Sequence, residues 1–431
     1  MSLLDRTALW SSTEHCCPPV VEDDGTIWAI WWSASATEGP AAAEVRYSDD
    51  YGSTWTAWAS IGTESDAPYF VGNANAEQPQ RHCGTIIRDS HGNVYYNCIT
   101  GASPGVRGLG RVDADTKAVT KCFDFYVSST LAGPTAFDTL VKTWGWTLDN
   151  SGSIYIGQYV MNYWNGSAWV YCLQEPNGHY IWKGDPTGTT WTRTDLFVTL
   201  EDGCRHCHSI HCDPNDNTLW VNIGDVPKVT YYSTDGLQSA TKITSADPGG
   251  EGATGLTFTS ERVYFGEDIY GAGECQMWRT PADGKSPLEV AHEWSSTFDV
   301  PTYYLRAVGD DEIWASIVND SYGSDKRSAL VRLTKTAGTL SPWSETIVVQ
   351  SSGYTAGSAL WSWDISHNAR GVSPSSHPFM YVSFINAAQT GQELGVFRVE
   401  RDGYLAATAN ATGITLTYSG TAPFRIERRV V

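Results

Sequence analysis

The densest group of reactive side chains lies between Cys204 and Cys212, where three histidines, three cysteines and one arginine fall within nine residues. If this stretch is a β-strand, alternate residues face opposite sides. One face would carry Cys204, His206, His208 and Cys212, and the other Arg205, Cys207 and His211. We expect no cofactor. The alternative is a structural zinc or calcium ion, with Cys204, His206 and His208 as zinc ligands, although the spacing matches no standard zinc finger.

The same residue types could carry acid–base chemistry. A histidine base, a tyrosine and an arginine that neutralises a carboxylate suit the β-elimination of a uronic acid, with His206, Tyr304 and Arg205 in those roles. Hydrolysis would need a pair of carboxylates, for which Glu77 and Asp364 are the candidates. Neither reaction has a complete motif in the sequence.

Seven short segments share a polar turn, then an aliphatic residue or Met, then an aromatic. Their aromatic residues are Trp28, Tyr95, Tyr155, Trp220, Tyr264, Trp314 and Tyr381, spaced 44–67 residues apart. Each turn follows an apolar or alternating run, which is typical of a β-hairpin. Repeats of this length indicate a propeller, a solenoid or an array.

A second hairpin follows in most units, and two hairpins make a four-stranded blade. The sequence therefore predicts an all-β fold, a seven-bladed β-propeller, with six blades as the alternative. Residues 1–431 form one domain with blades near 15–62, 80–125, 136–197, 204–245, 254–293, 302–350 and 359–403. Terminal strands near 7–10, 413–418 and 424–427 are expected to close the ring. Residues 159–166 are expected to form a loop over one face.

The innermost strand of each blade should bring its first residues towards the axis of the ring. The predicted ligand-binding residues are Arg81, His82, Trp146, Arg205, His206, His208, Arg306 and Trp363. Arginine pairs with carboxylates, and aromatic rings stack on sugars. The matching order Arg81-His82-Cys83 and Arg205-His206-Cys207 fits a shared structural role equally well, in which these side chains pack or bridge blades.

Composition excludes several classes of partner. The net charge of −20 disfavours nucleic acid and anionic membranes. The sequence contains no run of 18 apolar residues, so it predicts no membrane-spanning helix.

The N-terminal residues do not resemble a secretory signal, so we expect a virion or extracellular location after lysis, with the cytoplasm as the alternative. Among ten cysteines, Cys83 and Cys98 flank one hairpin and could form a disulfide, and free thiols are the alternative.

The segment from Ser48 to Trp55 matches the Asp-box pattern Ser-x-Asp-x-Gly-x-Thr-Trp at every defined position. Residues 184–191 look like the same box with one inserted residue, and residues 232–236 look like a decayed one. The chain therefore resembles the sialidase-like, Asp-box β-propeller superfamily. The order from Trp191 to Asp225 is similar to uncharacterised phage and archaeal-virus members of that superfamily.

The resemblance departs from sialidases where catalysis would be expected. A sialidase carries an Arg-Ile-Pro motif near its start, and the nearest string here, Phe424 to Glu427, lacks the proline and lies at the other end. We therefore expect a non-enzymatic propeller that binds a cell-surface glycan or glycoprotein, on its own or with other virion proteins. The alternatives are a polysaccharide lyase or glycosidase, and a scaffold whose channel is filled by side chains.

Overall fold

The computed structural model describes residues 14–17, 19–33, 43–62, 86–100, 106–125, 136–140, 144–164, 169–171, 180–201, 206–224, 228–243, 253–268, 276–282, 284–294, 301–317, 329–351, 360–365, 368, 371–373, 376–386, 392–401, 405–410 and 413–418. Within these residues the chain is almost entirely β-strand. Within the described residues, seven sheets follow one another along the sequence as blades: four have four strands, the first has five, the sixth has four plus two C-terminal strands, and the seventh has three. An eighth, small sheet is inserted in blade three. The seven-bladed β-propeller predicted from the repeat is confirmed.

The first three blades begin with short inner strands. Blade one contains β1 (Glu14–Cys16) and β2 (Val20–Val21), which both pair with β3 (Ile27–Ser33), followed by β4 (Ala43–Ser48) and β5 (Thr56–Gly62). Blade two contains β6 (Ile87–Arg88), β7 (Val94–Thr100), β8 (Val106–Val112) and β9 (Val119–Asp124). Blade three contains β11 (Trp146–Leu148), β12 (Ile154–Gly157), β15 (Ile181–Gly184) and β16 (Trp191–Thr194).

The last four blades have longer inner strands. Blade four contains β17 (His206–Cys212), β18 (Leu219–Gly224), β19 (Val229–Ser233) and β20 (Thr241–Lys242). Blade five contains β21 (Ala253–Phe258), β22 (Val263–Glu267), β23 (Gln276–Arg279) and β24 (Glu289–Glu293). Blade six contains β25 (Thr302–Ala307), β26 (Glu312–Ile317), β27 (Ala329–Thr334) and β28 (Ser344–Ser351). Blade seven contains β29 (Leu360–Ile365), β30 (Phe379–Asn386) and β31 (Gln392–Glu400).

Three further elements lie outside the regular blades. A small sheet of β10 (Ala136–Leu140), β13 (Tyr159–Trp164) and β14 (Trp169–Tyr171) contains the insertion of blade three, which was predicted to be a loop. Its run of β-branched and aromatic residues favours strand pairing instead. A single-turn helix, α1 (Leu196–Leu200), joins blades three and four. No helix in the described ranges is long and apolar enough to span a membrane.

The C-terminal strands extend blade six. The strand β32 (Leu405–Asn410) pairs in parallel with β28, and β33 (Gly413–Tyr418) pairs with β32. The strand expected at 413–418 is therefore present, at the outer edge of blade six. Residues 7–10 and 424–427 lie outside the described residues, so closure of the ring by a terminal strand stays a prediction.

The turn between the first two strands has a common construction in blades two and three. In each, an aspartate carboxylate accepts hydrogen bonds from the backbone N–H groups two and four residues later, at 2.9 Å for both bonds to Asp89 and at 2.8 and 2.9 Å for Asp149. The other carboxylate oxygen accepts the hydroxyl of a buried tyrosine, Tyr95 at 2.8 Å and Tyr155 at 3.2 Å. Burial and the neighbouring carboxylate raise the pKa of both tyrosines. The repeated aromatic therefore anchors the repeated turn.

All three Asp boxes form the same kind of turn. The carboxylates of Asp50, Asp185 and Asp235 each accept a hydrogen bond from the backbone N–H four residues later, at 2.7, 3.0 and 3.0 Å. Hydrogen bonds, first from the Ser239 hydroxyl, lower the pKa of Asp235 to about 2. The third box was expected to be decayed, but it keeps the turn geometry because Leu237 takes the left-handed conformation (φ 69°) at the position of the pattern's glycine.

Candidate functional site

The innermost strands of blades four to seven all begin with a β-bulge. The register shifts between Cys207 and Ser209 in β17, and at the corresponding place in β21, β25 and β29. A bulge leaves one residue outside the ladder and changes the direction of its side chain. In blade four that residue is His208. We call the end of the ring where the inner strands begin the strand-start end, and the opposite end, with the repeated turns, the turn end.

The bulge brings His208 against His206 at the strand-start end. Their Nε2 atoms lie 2.9 Å apart, so one imidazole must donate its proton to the other. The ring of Tyr159 stacks on His206, with centroids 3.9 Å apart and an angle of 18° between the planes. Both imidazoles are buried. The small sheet of blade three therefore covers the first residue of blade four.

A buried charge pair stands behind the two histidines. The carboxylate of Asp268, directly after β22 in blade five, lies 3.7 Å from Nδ1 of His208. The ammonium of Lys228 lies 3.0 Å from the same carboxylate and also donates to the Asp268 backbone carbonyl. The Lys228 side chain keeps 27% of its surface exposed, while that of Asp268 keeps only 7%. The four side chains therefore form a row in which Lys228 reaches solvent, Asp268 and His208 follow, and the buried imidazole of His206 lies at the inner end.

Aromatic rings continue this cluster across the ring. Trp144, just before β11 of blade three, meets Tyr304 of blade six with centroids 4.3 Å apart. The other edge of Trp144 faces Tyr159 at 6.4 Å. Blades three and six are not neighbours in the chain, so these side chains meet across the axis. Trp144 is half-buried.

The turn end is occupied by the turn of blade seven. The Thr257 hydroxyl of blade five donates to the carbonyl of Gly371 at 3.1 Å, and the N–H of Ser373 donates to Ala307 of blade six at 2.9 Å. A Cβ on Gly371 would lie 2.8 Å from Nδ1 of His211 in blade four. One turn therefore contacts three other blades beneath the axis. Together with the aromatic contact above, this agrees with a channel filled by side chains.

Arg306 has a structural position that the repeat explains. Thr147, two residues before the turn of blade three, accepts the N–H of Cys212 in blade four at 3.0 Å. Thr257 of blade five accepts the N–H of Ala307 in blade six in the same way. Arg306 occupies this position in blade six, is fully buried, and donates its Nε–H to the carbonyl of Ile365 at 3.0 Å. Its guanidinium therefore bridges blades six and seven, and ligand contact by Arg306 stays a prediction.

The remaining sequence-predicted residues divide into those that the structure describes and those that it does not. Trp146 is fully buried in the hydrophobic core that joins blades one to three. Tyr304 and His206 lie at the same end of the ring and are linked through Trp144 and Tyr159. Trp363 and Asp364 lie in β29, and their side chains are outside the described part. Also outside it are Glu77, Arg81, His82, Cys83, Cys204 and Arg205.

The expected distribution of side chains along β17 is wrong in part. Cys207 and Cys212 were placed on opposite faces, but both pack with Tyr155 and Phe197 in one core between blades three and four. The bulge at His208 inserts a residue and inverts the alternation after it. The thiols of Cys207 and Cys122 are free.

Within the described residues, no group of three or more His, Cys, Asp and Glu side chains is arranged to hold a metal ion. The proposed zinc ligands His206 and His208 contact each other directly, and their third partner Cys204 lies outside the described residues. The zinc hypothesis is therefore left with two described ligands.

Sequence reasoning missed Tyr159, Lys228 and Asp268. A usable signal was a glycine at the end of the second strand in blades three and four and one residue before its end in blade five. A Cβ would lie 2.5 Å from the nearest atom at Gly157, 2.1 Å at Gly224 and 2.4 Å at Gly266. These glycines mark where an inner strand, of the same blade at Gly224 and of the next blade at Gly157 and Gly266, packs closest to the second strand.

Comparison with known proteins finds distant structural similarity. No protein-family model matches the sequence, and no curated protein matches it. Among solved structures, the chain is similar to the β-propeller domain of the Trilobed protease from Pyrococcus furiosus, with 9% identity and TM-score 0.46 over 90% of this chain and 94% of that one. Ycf48 from Cyanidioschyzon merolae is 12% identical, with TM-score 0.43 over 90% of this chain and 96% of that one. The intramolecular trans-sialidase from Ruminococcus gnavus is 12% identical, with TM-score 0.39 over 92% of this chain and 97% of that one. At such identities the likeness concerns the fold alone.

Proposed function

We propose that this protein is a non-enzymatic β-propeller of the sialidase-like, Asp-box type that binds a surface glycan or glycoprotein at its strand-start end. The observation that carries the proposal is the asymmetry between the two ends. The turn end is occupied by Gly371 and its neighbours, which contact three other blades. The strand-start end instead gathers aromatic, imidazole and charged side chains around a half-buried tryptophan.

The chemistry of these side chains favours a sugar that carries a negative charge. The exposed part of Trp144 offers an apolar surface for a sugar ring. Lys228 supplies an ammonium group that is partly exposed and stands beside the histidine pair. Because the protein as a whole carries a charge of −20, an acidic glycan would be held only by this local group and repelled elsewhere. The attraction to Lys228 and the repulsion elsewhere would orient the bound glycan as well as hold it.

A glycan array followed by calorimetry tests the proposal. We expect binding to a surface polysaccharide or glycoprotein glycan, and we expect Lys228→Met to weaken it by about tenfold, the equivalent of one lost charged contact. Lys121→Met is the matched control, since Lys121 pairs with Asp124 on the exposed outer strand of blade two. Equal affinities of the two variants would contradict the proposed site, and an array without any binding would contradict the proposed function.

A second candidate function rests on the histidine pair and its carboxylate. A buried imidazole backed by Asp268 is suited to proton transfer. In a lyase reaction, His206 would take the proton on the carbon next to the uronate carboxylate. The bond between the neighbouring carbon and the glycosidic oxygen would break, a carbon–carbon double bond would form, and Tyr304 would give its proton to the leaving oxygen. New absorbance from unsaturated uronate, lost in His206→Gln but not in His91→Gln, would support this function over simple binding.

We further propose that the protein is carried on a virus particle. A propeller that recognises a surface glycan fits a protein carried on a virus particle together with other virion proteins. Sedimentation of particles from a producing culture, with the protein followed by mass spectrometry, tests this part. Co-sedimentation that survives a salt wash is the expected result, and recovery in the soluble fraction alone would remove the virion part while leaving glycan binding in place.

A further inference from the structure

The contact between blades one and seven closes the ring through side chains. The amide of Asn368 in blade seven donates to Asp23 in blade one at 2.8 Å. The guanidinium of Arg398 donates to the carbonyl of Tyr51 at 2.8 Å and to the hydroxyl of Ser53 at 3.1 Å. Tyr51 and Ser53 belong to the first Asp box. We call this contact the seam.

A buried histidine lies in the middle of the seam. The ring of Tyr51 meets the imidazole of His377 edge-on, with centroids 5.0 Å apart. On the other side, Tyr381 of blade seven approaches the same imidazole at 5.5 Å. Nδ1 of His377 lies 3.2 Å from the N–H of Phe379 and 3.0 Å from its carbonyl oxygen. Only 2% of His377 is exposed, so its charge state cannot change without affecting these contacts.

Two arginines contact the residues that hold the imidazole. Arg401 donates to the backbone carbonyl of His377 at 3.0 Å, and the guanidinium of Arg398 lies 4.5 Å from the Phe379 ring centroid. The titratable side chains that face His377 from the packed elements are Tyr51, Tyr381, Arg398 and Arg401, with Asp23, Asp24, Asp50 and Glu312 nearby.

These carboxylates are already engaged elsewhere. Asp50 accepts from the Thr54 N–H in its own box, and Asp24 accepts from the Thr26 N–H in its own turn. Glu312 accepts from Arg401. Both arginines therefore lie in the seam, Arg401 on the His377 backbone and Arg398 on the Asp-box backbone, while the nearby acids are held by other donors. A neutral His377 fits this setting, and an imidazolium would be repelled.

We propose that His377 acts as an acid-sensitive latch, which holds blades one and seven together while it is neutral and loosens the seam when it is protonated. The predicted ligand would then meet a more open ring in an acidic compartment than at neutral pH. This latch does not depend on the proposed glycan binding.

The direction of the pH dependence follows from linkage. Burial lowers the pKa of His377 below its ordinary value of 6.5 in the closed ring, and it outweighs the backbone hydrogen bonds with Phe379 and Gly25, which raise this pKa; Arg401 adds a smaller lowering. When the seam opens, the exposed imidazole regains that ordinary value. The open form therefore binds more protons, so opening becomes more favourable as the pH falls below about 6.5, and the effect levels off below the closed-state pKa.

Hydrogen exchange read by mass spectrometry tests the latch in the full chain. With rates corrected for intrinsic exchange, we expect the peptides around 48–56 and 376–386 to exchange faster by up to about tenfold for each pH unit below 6.5, as one linked proton requires. Peptides from 106–124 in blade two, which contain no histidine, should keep their protection. His377→Gln should remove the pH dependence, and His91→Gln, on an exposed turn, should retain it.

A second variant guards against poor folding of His377→Gln. Tyr51→Ala removes the edge-on contact without removing the titrating group, so the seam should exchange faster at neutral pH and still respond to acid. The latch is wrong if wild-type seam peptides show no acid response, if His377→Gln or a folded substitute such as His377→Asn retains it, or if all blades open together.

Discussion

Removal of one buried hydroxyl in blade two offers a sharp test of how the repeated turns hold the blades. Tyr95→Phe deletes the hydrogen bond of 2.8 Å from the phenol to Asp89, a carboxylate that is 4% exposed. Hydrogen bonds to charged groups contribute about 1.5–3 kcal/mol. Asp89 keeps its bonds from the Asn93 N–H and side chain, so the carboxylate is not left bare. We therefore expect a loss of about 1.5–2 kcal/mol.

The matched variant is Tyr155→Phe in blade three. Its bond to Asp149 is longer, 3.2 Å, and Asp149 is 9% exposed, so we expect a smaller loss of about 1 kcal/mol. Urea denaturation followed by tryptophan fluorescence measures both. A Tyr95→Phe variant as stable as wild type, or one that loses less than Tyr155→Phe, would refute the anchoring role of the repeated aromatic.

Alkaline pH gives an independent check on the same contact. Burial raises the pKa of Tyr95 above its ordinary value of 10.0, so the folded protein favours the neutral phenol. The stability that this group contributes is present below pH 10 and is lost as the pH rises through the folded-state pKa. The stability difference between wild type and Tyr95→Phe should therefore shrink above pH 10.

Three further substitutions test the contacts between and within blades. Glu312→Gln should lower the unfolding free energy by about 2–4 kcal/mol, since the buried carboxylate pairs with Arg401 at 3.1 Å. Burial alone would raise the pKa of Glu312, but hydrogen bonds led by Arg401 outweigh it and lower the pKa, so this loss should shrink in denaturation curves below pH 4.5. Gly224→Ala should lower stability by about 1–3 kcal/mol in the same assay, because the new Cβ would overlap an imidazole, and it should also weaken ligand binding in calorimetry. Arg306→Met should lower stability by about 1.5–3 kcal/mol through the lost bond to Ile365, and unchanged ligand affinity would fit its structural position.

The fold could be predicted because the signals that define it are local. A polar turn and the aromatic that follows it lie within seven residues, as at Asp89 and Tyr95, and this pattern recurs in all seven segments. The Asp box at Asp50 is local in the same way. A repeat of such units requires many similar hairpins, and a ring is a standard way to bury them.

The site could be predicted only in part because its contacts cross blades. Strand alternation correctly kept His206 and His208 together, but it could not locate the bulge, since nothing in the sequence of β17 requires one. Tyr159 of blade three and Asp268 of blade five lie against the histidines of blade four because neighbouring blades pack together in the ring. The role of Arg306 became visible only when its position two residues before the turn was compared with Thr257.

A crystal structure of the protein with the best ligand from the glycan array tests the central claim most directly. We expect the sugar to lie at the strand-start end, within about 4 Å of the Trp144 ring, with its acidic group beside Lys228. A sugar bound at the turn end, near Gly371, or along an outer strand of any blade would contradict it.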